Sequence, residues 1–274
     1  MPRPAIPAPV ARTLRQEAGF GCCKCGFPII QYHHIVEYSL DPHFRPEDMM
    51  VLCPTHHDQA TQRALPEREQ RALKAKPFNI VQNRARGSLA IAQDYCAVRV
   101  GSVELVGEGF TMSVDDEPLL RLDVSPDGYL AISATIFDHD DVLLATVAGN
   151  EWESGRSLPW DIIAGWQRVT LRQRTRDISL EVDARHYPVK VRARLHRHGV
   201  LIDLRDQVTV GGSAIDFGFR HLALVAFTVN VDTRARTATM VPDPDSHGGI
   251  VSWPDPDVRL ERAVAFLKDL RSRV

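Results

Sequence analysis

Two short chelating turns constrain this chain more than any other feature. Cys22 and Cys25 form a Cys-x-x-Cys, Cys53 and His56 form a Cys-x-x-His, and 27 residues separate them. Each turn offers two ligands to one ion, so together they imply tetrahedral Cys3His coordination of a zinc ion. Such a site is saturated by protein, leaves no open position for water, and serves folding rather than chemistry. Cys23 faces away from the chelate in this register, although an exchange with Cys22 as ligand stays open. The chain has five cysteines, an odd number, and four of them fall in its first fifth, which favours metal over a disulfide framework.

Three histidines are nested around these half-sites. His33 and His34 lie between them and His57 follows the second directly. Closing the knuckle draws the His33-His34 pair towards His57 although His34 and His57 are 23 residues apart, and a site assembles there. The run 29–35 (IIQYHHI) is rich in β-branched and aromatic residues and is expected to be a strand. Residues 48–52 are an extended or helical lead-in to a helix over 56–64, and 39–47 form a loop that carries His43. Ahead of the knuckle a helix is expected over 10–18, stopped at Gly19, and a further helix over 66–74 follows Pro66.

The strings CCKCG, YHHI and DMMVLCPTHHDQAT, in that order, resemble the HNH endonucleases, the ββα-metal or His-Me finger family, over about residues 10–65. The resemblance implies a zinc-stapled ββα fold, with His34 as general base and His33 and His57 as ligands of one catalytic divalent ion. It also implies hydrolysis of a DNA phosphodiester by nicking or double-strand cleavage, leaving a 5′ phosphate and a 3′ hydroxyl. A neutral histidine is a competent base near pH 7, and two imidazole ligands suit Mn²⁺, Ni²⁺ or Co²⁺ as well as Mg²⁺. The chain departs from the family pattern twice. Asp48 stands where the family has an asparagine, so it lacks the amide donor and either shapes the loop or brings a carboxylate near the metal. His56 stands where a cysteine is commoner, a change that leaves His57 in register.

Net charge is −2 overall, but residues 1–86 carry about +4 and the remainder about −6. The basic part is the part with the metal motifs. Arg63, Arg68 and Arg71, on or just after the second helix, are candidates for phosphate contacts.

From Ser88 onward the texture changes to short β-rich runs such as PLLRLDV, YLAISATIF and HLALVAFTVNV, about ten in all, separated by Asp, Gly and Pro. They imply an antiparallel sandwich or barrel, with an amphipathic helix over 256–273. The fold expected is therefore α+β: an HNH domain over 1–86 and a β-rich targeting or regulatory domain over 87–274. The acidic run Asp138-His139-Asp140-Asp141 is expected to be a tight turn, and the region around His196, Arg197 and His198 is expected to be strand and turn residues, with a phosphate-binding basic face across 185–197 as the alternative.

No apolar run approaches the roughly 18 residues of a membrane span, and the N-terminus lacks the apolar core of a secretory signal, so a cytoplasmic protein is expected. DNA is the expected partner, with RNA still open and a homodimer through the β-rich region as one arrangement. By analogy with the family, microbial defence fits such an architecture. Two alternatives stand beside the nuclease: a zinc-stapled module that binds nucleic acid without cutting, and an interaction protein dominated by its β-rich region.

Overall fold

The computed structural model describes residues 4–93, 96–101, 103–107, 109–155, 159–206, 208–214, 221–223, 227–242 and 251–252. The expected helix over 256–273 lies outside them. Both helices and sheets are present, and strand predominates.

The chain opens with helix α1 (Ala8–Glu17), whose first turn tolerates proline because its N–H groups have no intrahelical partner. It ends at Ala18 and Gly19, the glycine at φ +64°, a conformation open to it at little cost. Strands β1 (Gln31–His34) and β2 (Met49–Leu52) form an antiparallel hairpin in which His33 faces Met50 and His34 faces Met49. Helix α2 (Pro54–Thr61) follows directly, with Cys53 as its N-cap and Pro54 at its first position, two residues earlier than the sequence reading places it. Helices α3 (Glu67–Ala75) and α4 (Phe78–Gln82) complete this part. All four residues of β2 are buried. With Leu14, Ala18, Cys22, Cys23, Ile35, Ala60 and Leu65 they form a small apolar cluster of their own.

The remaining strands make two sheets. The first runs in the spatial order Thr237–Pro242, Phe227–Asp232, Gly109–Val114, Glu117–Val124, Leu130–Phe137, Leu143–Ala148, Glu151–Ser154 and β3 (Ala85–Ser88). The second runs Asp161–Gly165, Arg168–Arg174, Asp177–Asp183, Val189–Arg197, Cys96–Val100, Val103–Gly107, His221–Ala223 and Val251–Ser252, with three short strands branching from Val189–Arg197. Side chains of both sheets share one buried cluster, which Phe20 from the helical part joins.

The wholly antiparallel arrangement expected from the sequence is corrected at three places. Val189–Arg197 pairs parallel with Cys96–Val100, His221–Ala223 with Val103–Gly107, and Phe227–Asp232 with Gly109–Val114. Each joins segments far apart in sequence, where no hairpin imposes a direction, and alternation of apolar residues reads the same in either direction.

A carboxylate network fastens the end of the first sheet. Asp115, in the turn after Gly109–Val114, accepts hydrogen bonds from Thr233 N and Oγ1 at 2.8 and 2.7 Å and from His198 Nδ1 at 3.0 Å. The Thr233 amide, its hydroxyl and His198 hold the acid down from 3.8 to about 2. An acid weaker in the unfolded chain than in the folded one stabilises the fold above its unfolded pKa. That contribution is lost as pH falls from 3.8 towards 2. Asp115→Asn is expected to lower the urea midpoint at neutral pH and to flatten its decline through this window. A decline as steep as that of the unaltered protein would remove Asp115 from the account.

Candidate metal centre and histidine cleft

The two chelating turns meet. Cys22, Cys25, Cys53 and His56 bring one ligand atom each to within 4.8 Å of one another. His56 Nδ1 lies 3.3 Å from Cys22 Sγ and 3.2 Å from Cys53 Sγ, and Cys25 Sγ lies 3.9 Å from Cys53 Sγ. A zinc ion with Zn–S bonds of about 2.3 Å sets ligand atoms roughly 3.5–3.8 Å apart along the edges of a tetrahedron, so the four atoms fit and could hold a zinc-like metal. Burial pushes the Cys22 and Cys25 thiols up, and the neighbouring sulfurs add to it. Thiolates there need a cation beside them. Cys23 is buried outside the cluster, its thiol pushed up to about 11 chiefly by burial.

Backbone packing shapes this knuckle. Gly21 admits no side chain because a Cβ would lie 2.3 Å from Gly26 O, and Gly26 sits at φ +76°. Asn79, buried on α4, donates through Nδ2 to Gly19 O at 2.9 Å and Gly26 O at 3.3 Å, clasping the loop from outside. Nothing in the local sequence around Asn79 announces that role.

Beside the knuckle lies a cleft of about 1100 Å³ lined by, among others, Tyr32, His33, His34, His57, Arg63 and Gln70. Consecutive residues on a helix differ by about 100° in direction, so His56 turns to the cysteines and His57 to the cleft. Neighbouring residues on a strand leave opposite faces. His33 reaches His57, their rings perpendicular with centroids 5.1 Å apart, while His34 packs among Tyr38, His43 and Phe44.

His34 is buried, and its Nε2 lies 3.0 Å from His43 O. A carbonyl only accepts, so Nε2 carries the hydrogen and the neutral ring has its lone pair on Nδ1. His43 is fixed the same way, Nε2 donating to Val36 O at 3.3 Å while Nδ1 accepts from Arg45 N at 3.2 Å. The loop residue His43 thus orients His34 through its carbonyl and closes its own loop through its ring.

The other candidates lie elsewhere. The carboxylate of Asp48 is bound by Arg45 Nε at 3.0 Å and by Arg71, and is held below its ordinary pKa first by Arg45. It is not among the cleft-lining residues. Its backbone oxygen does reach the site strand, accepting from Ile35 N at 2.8 Å. Arg71 is shared between Asp48 and Glu67. Arg63, 86% exposed at the cleft mouth, lies 3.5 Å from Glu37, and Arg68 is exposed on α3.

Outside this part, Asp138 Oδ1 accepts from Asp140 N and Val142 N, the tight turn expected of the acidic run. The region 185–197 holds the strand Val189–Arg197, and carboxylates stand beside the arginines of its alternative reading as a basic face. Arg185 pairs with Asp183, Arg192 with Glu181, Arg194 with Asp177, and Arg197 with Glu117.

Sequence reasoning missed the buried pair that ties the helical part to the sheets. Arg15 on α1 meets Asp161 through Nε–Oδ1 at 2.8 Å and NH2–Oδ2 at 2.6 Å, and its NH1 donates to Tyr32 OH at 2.5 Å. Gln16 Nε2 donates to Trp160 O at 2.6 Å alongside. The strand that bears His33 is thereby linked through Tyr32 and Arg15 to the second sheet.

No protein-family model, curated protein or solved structure matches this chain. Among the described residues no helix is long and apolar enough to cross a membrane.

Proposed function

We propose that the N-terminal part is an HNH-type endonuclease that hydrolyses phosphodiester bonds, with DNA as substrate, around the His33–His34–His57 cleft. The observation that carries this reading is the nesting made concrete: three histidines from β1 and α2 line one cleft beside a Cys3His cluster formed by the loop before β1 and the start of α2. The order hairpin then helix is the one an HNH ββα unit would have.

In this reading His33 and His57, whose rings meet edge to face with centroids 5.1 Å apart, would hold a divalent ion through imidazole nitrogens. When bound, the ion supplies positive charge against a phosphate oxygen and the leaving 3′ oxygen. His34 Nδ1 takes a proton from the attacking water as its oxygen bonds to phosphorus. The bond from phosphorus to the 3′ oxygen breaks, and that oxygen takes a proton from solvent. Arg63 at the mouth offers charge to the backbone phosphates. The β-rich part then targets, pairs or restrains the nuclease.

The test is nicking of supercoiled plasmid with Mg²⁺, Mn²⁺ or Ni²⁺, beside His34→Ala whose zinc content is measured. Removing a general base is expected to slow cleavage at least about a hundredfold while zinc stays bound. Equal cleavage by the variant sinks His34 as the base. Zinc-dependent DNA binding without cleavage by the unaltered protein would leave a binding module in its place.

A further inference from the structure

Gln70, on α3 and outside the motif-bearing segment, is buried at 5% exposure although it is an amide. Its Nε2 lies 2.8 Å from Leu65 O and its Oε1 lies 3.1 Å from His33 Nε2. The first contact decides the second. A backbone carbonyl only accepts, so the amide nitrogen must face Leu65 and the amide oxygen must face His33. An amide oxygen is also only an acceptor, so His33 Nε2 carries the hydrogen. Neutral His33 therefore has its lone pair on Nδ1.

From this geometry we infer that Gln70 is a positioning residue: it locks His33 in the Nε2–H tautomer and makes Nδ1 the atom that binds the divalent ion. The inference deepens the nuclease reading and rests on it for the role of the ion. Hydrogen-bonded partners of ligating histidines fix ring orientation and tautomer, and their loss weakens metal binding by about 10–100-fold. Gln70 is well placed for this because its amide is itself pinned, at its nitrogen end, to the backbone just before its own helix. The arrangement also explains why an amide is buried at this position, where a hydrocarbon side chain would cost nothing in desolvation.

The experiment uses the full-length, zinc-loaded protein with ¹⁵N-labelled histidine and no second metal, and reads the His33 tautomer from its ring-nitrogen resonances. Co²⁺ is then titrated by calorimetry. In Gln70→Leu both hydrogen bonds are lost. The His33 Nε2–H form is expected to lose its dominance and Co²⁺ affinity to fall about 10–100-fold, with zinc content unchanged. In Gln70→Glu the bond to Leu65 is lost while an oxygen acceptor for His33 Nε2 remains. That variant is expected to keep both the tautomer and the affinity, which separates positioning from local destabilisation.

An unchanged tautomer in Gln70→Leu overturns the inference, as does an equal loss in both variants. His33→Ala, titrated in parallel, distinguishes the two levels. If it binds Co²⁺ as well as the unaltered protein, the metal reading of His33 falls, whereas a tautomer that still responds to Gln70→Leu upholds the hydrogen-bond assignment.

Discussion

Chelating the metal from the Cys22–Cys25–Cys53–His56 cluster is expected to unfold the hairpin and the helices around it while the two large sheets persist. Structural zinc in small domains contributes about 10–16 kcal/mol of apparent binding energy near pH 7, comparable to the whole stability of a typical domain, about 5–15 kcal/mol. The cluster it must support is small: short elements packed around Leu14, Cys22, Cys23, Ile35 and Met49 to Leu52. Both ends of the knuckle belong to it. Without an ion, the Cys22 and Cys25 thiols, whose burial disfavours charge, have nothing to hold them to Cys53 and His56. Amide hydrogen exchange before and after chelation makes the check. Loss of protection at Met50 and Leu52, with Leu120 and Ile132 unaffected, is the expected pattern, and retained protection at Met50 would refute a folding role for the metal. Cys22→Ser is expected to lose zinc and Cys23→Ser to keep it, which decides the ligand exchange that the sequence alone leaves open.

The second large effect is expected at Asp161. Arg15 and Asp161 have side chains only 11% and 5% exposed. Burial disfavours the guanidinium charge, and Asp161 with Tyr32 outweighs that, so the Arg15 pKa rises. Asp161→Ala would leave the arginine buried with only Tyr32 as a described partner. Removing one member of a buried pair costs about 3–5 kcal/mol, whereas replacing both by apolar residues of similar size is often neutral. Urea unfolding of Asp161→Ala and of the double change Arg15→Met with Asp161→Leu tests this. The single variant is expected to lose that amount and the double variant to recover most of it. A loss below about 1 kcal/mol for the single change would place the pair among the weak surface contacts.

What was legible in the sequence was local. Cys-x-x-Cys and Cys-x-x-His each fix a turn over four residues, so the chelate could be read from spacing, and His33, His34 and His57 followed because they are held to the same turns. Helix α2 begins earlier than expected because Pro54 is an asset in a first turn, not a breaker. The residues that brace the site were illegible for a physical reason: their partners lie far along the chain. Gln70 meets His33 across 37 residues, Asn79 meets Gly19 across 60, and Arg15 meets Asp161 across 146. No periodicity marks such pairs. The carboxylates that pair with Arg192 and Arg194 were illegible too, since alternation along a strand shows which residues share a face but not what the next strand places beside them. The parallel pairings were hidden likewise.

The link from Arg15 to Asp161 acquires a different meaning when the chain is considered as it is made. Arg15 leaves the ribosome 146 residues before its partner, which at about 5–20 residues per second is a delay of roughly 7–30 s. Through that interval the newborn helical part has no second sheet to dock on and β3 has no Glu151–Ser154 to pair with. Cys53 and His56, by contrast, emerge soon after Cys22. A metal ion held by these four residues would therefore secure the first part of the chain while its anchor to the second sheet is still unmade.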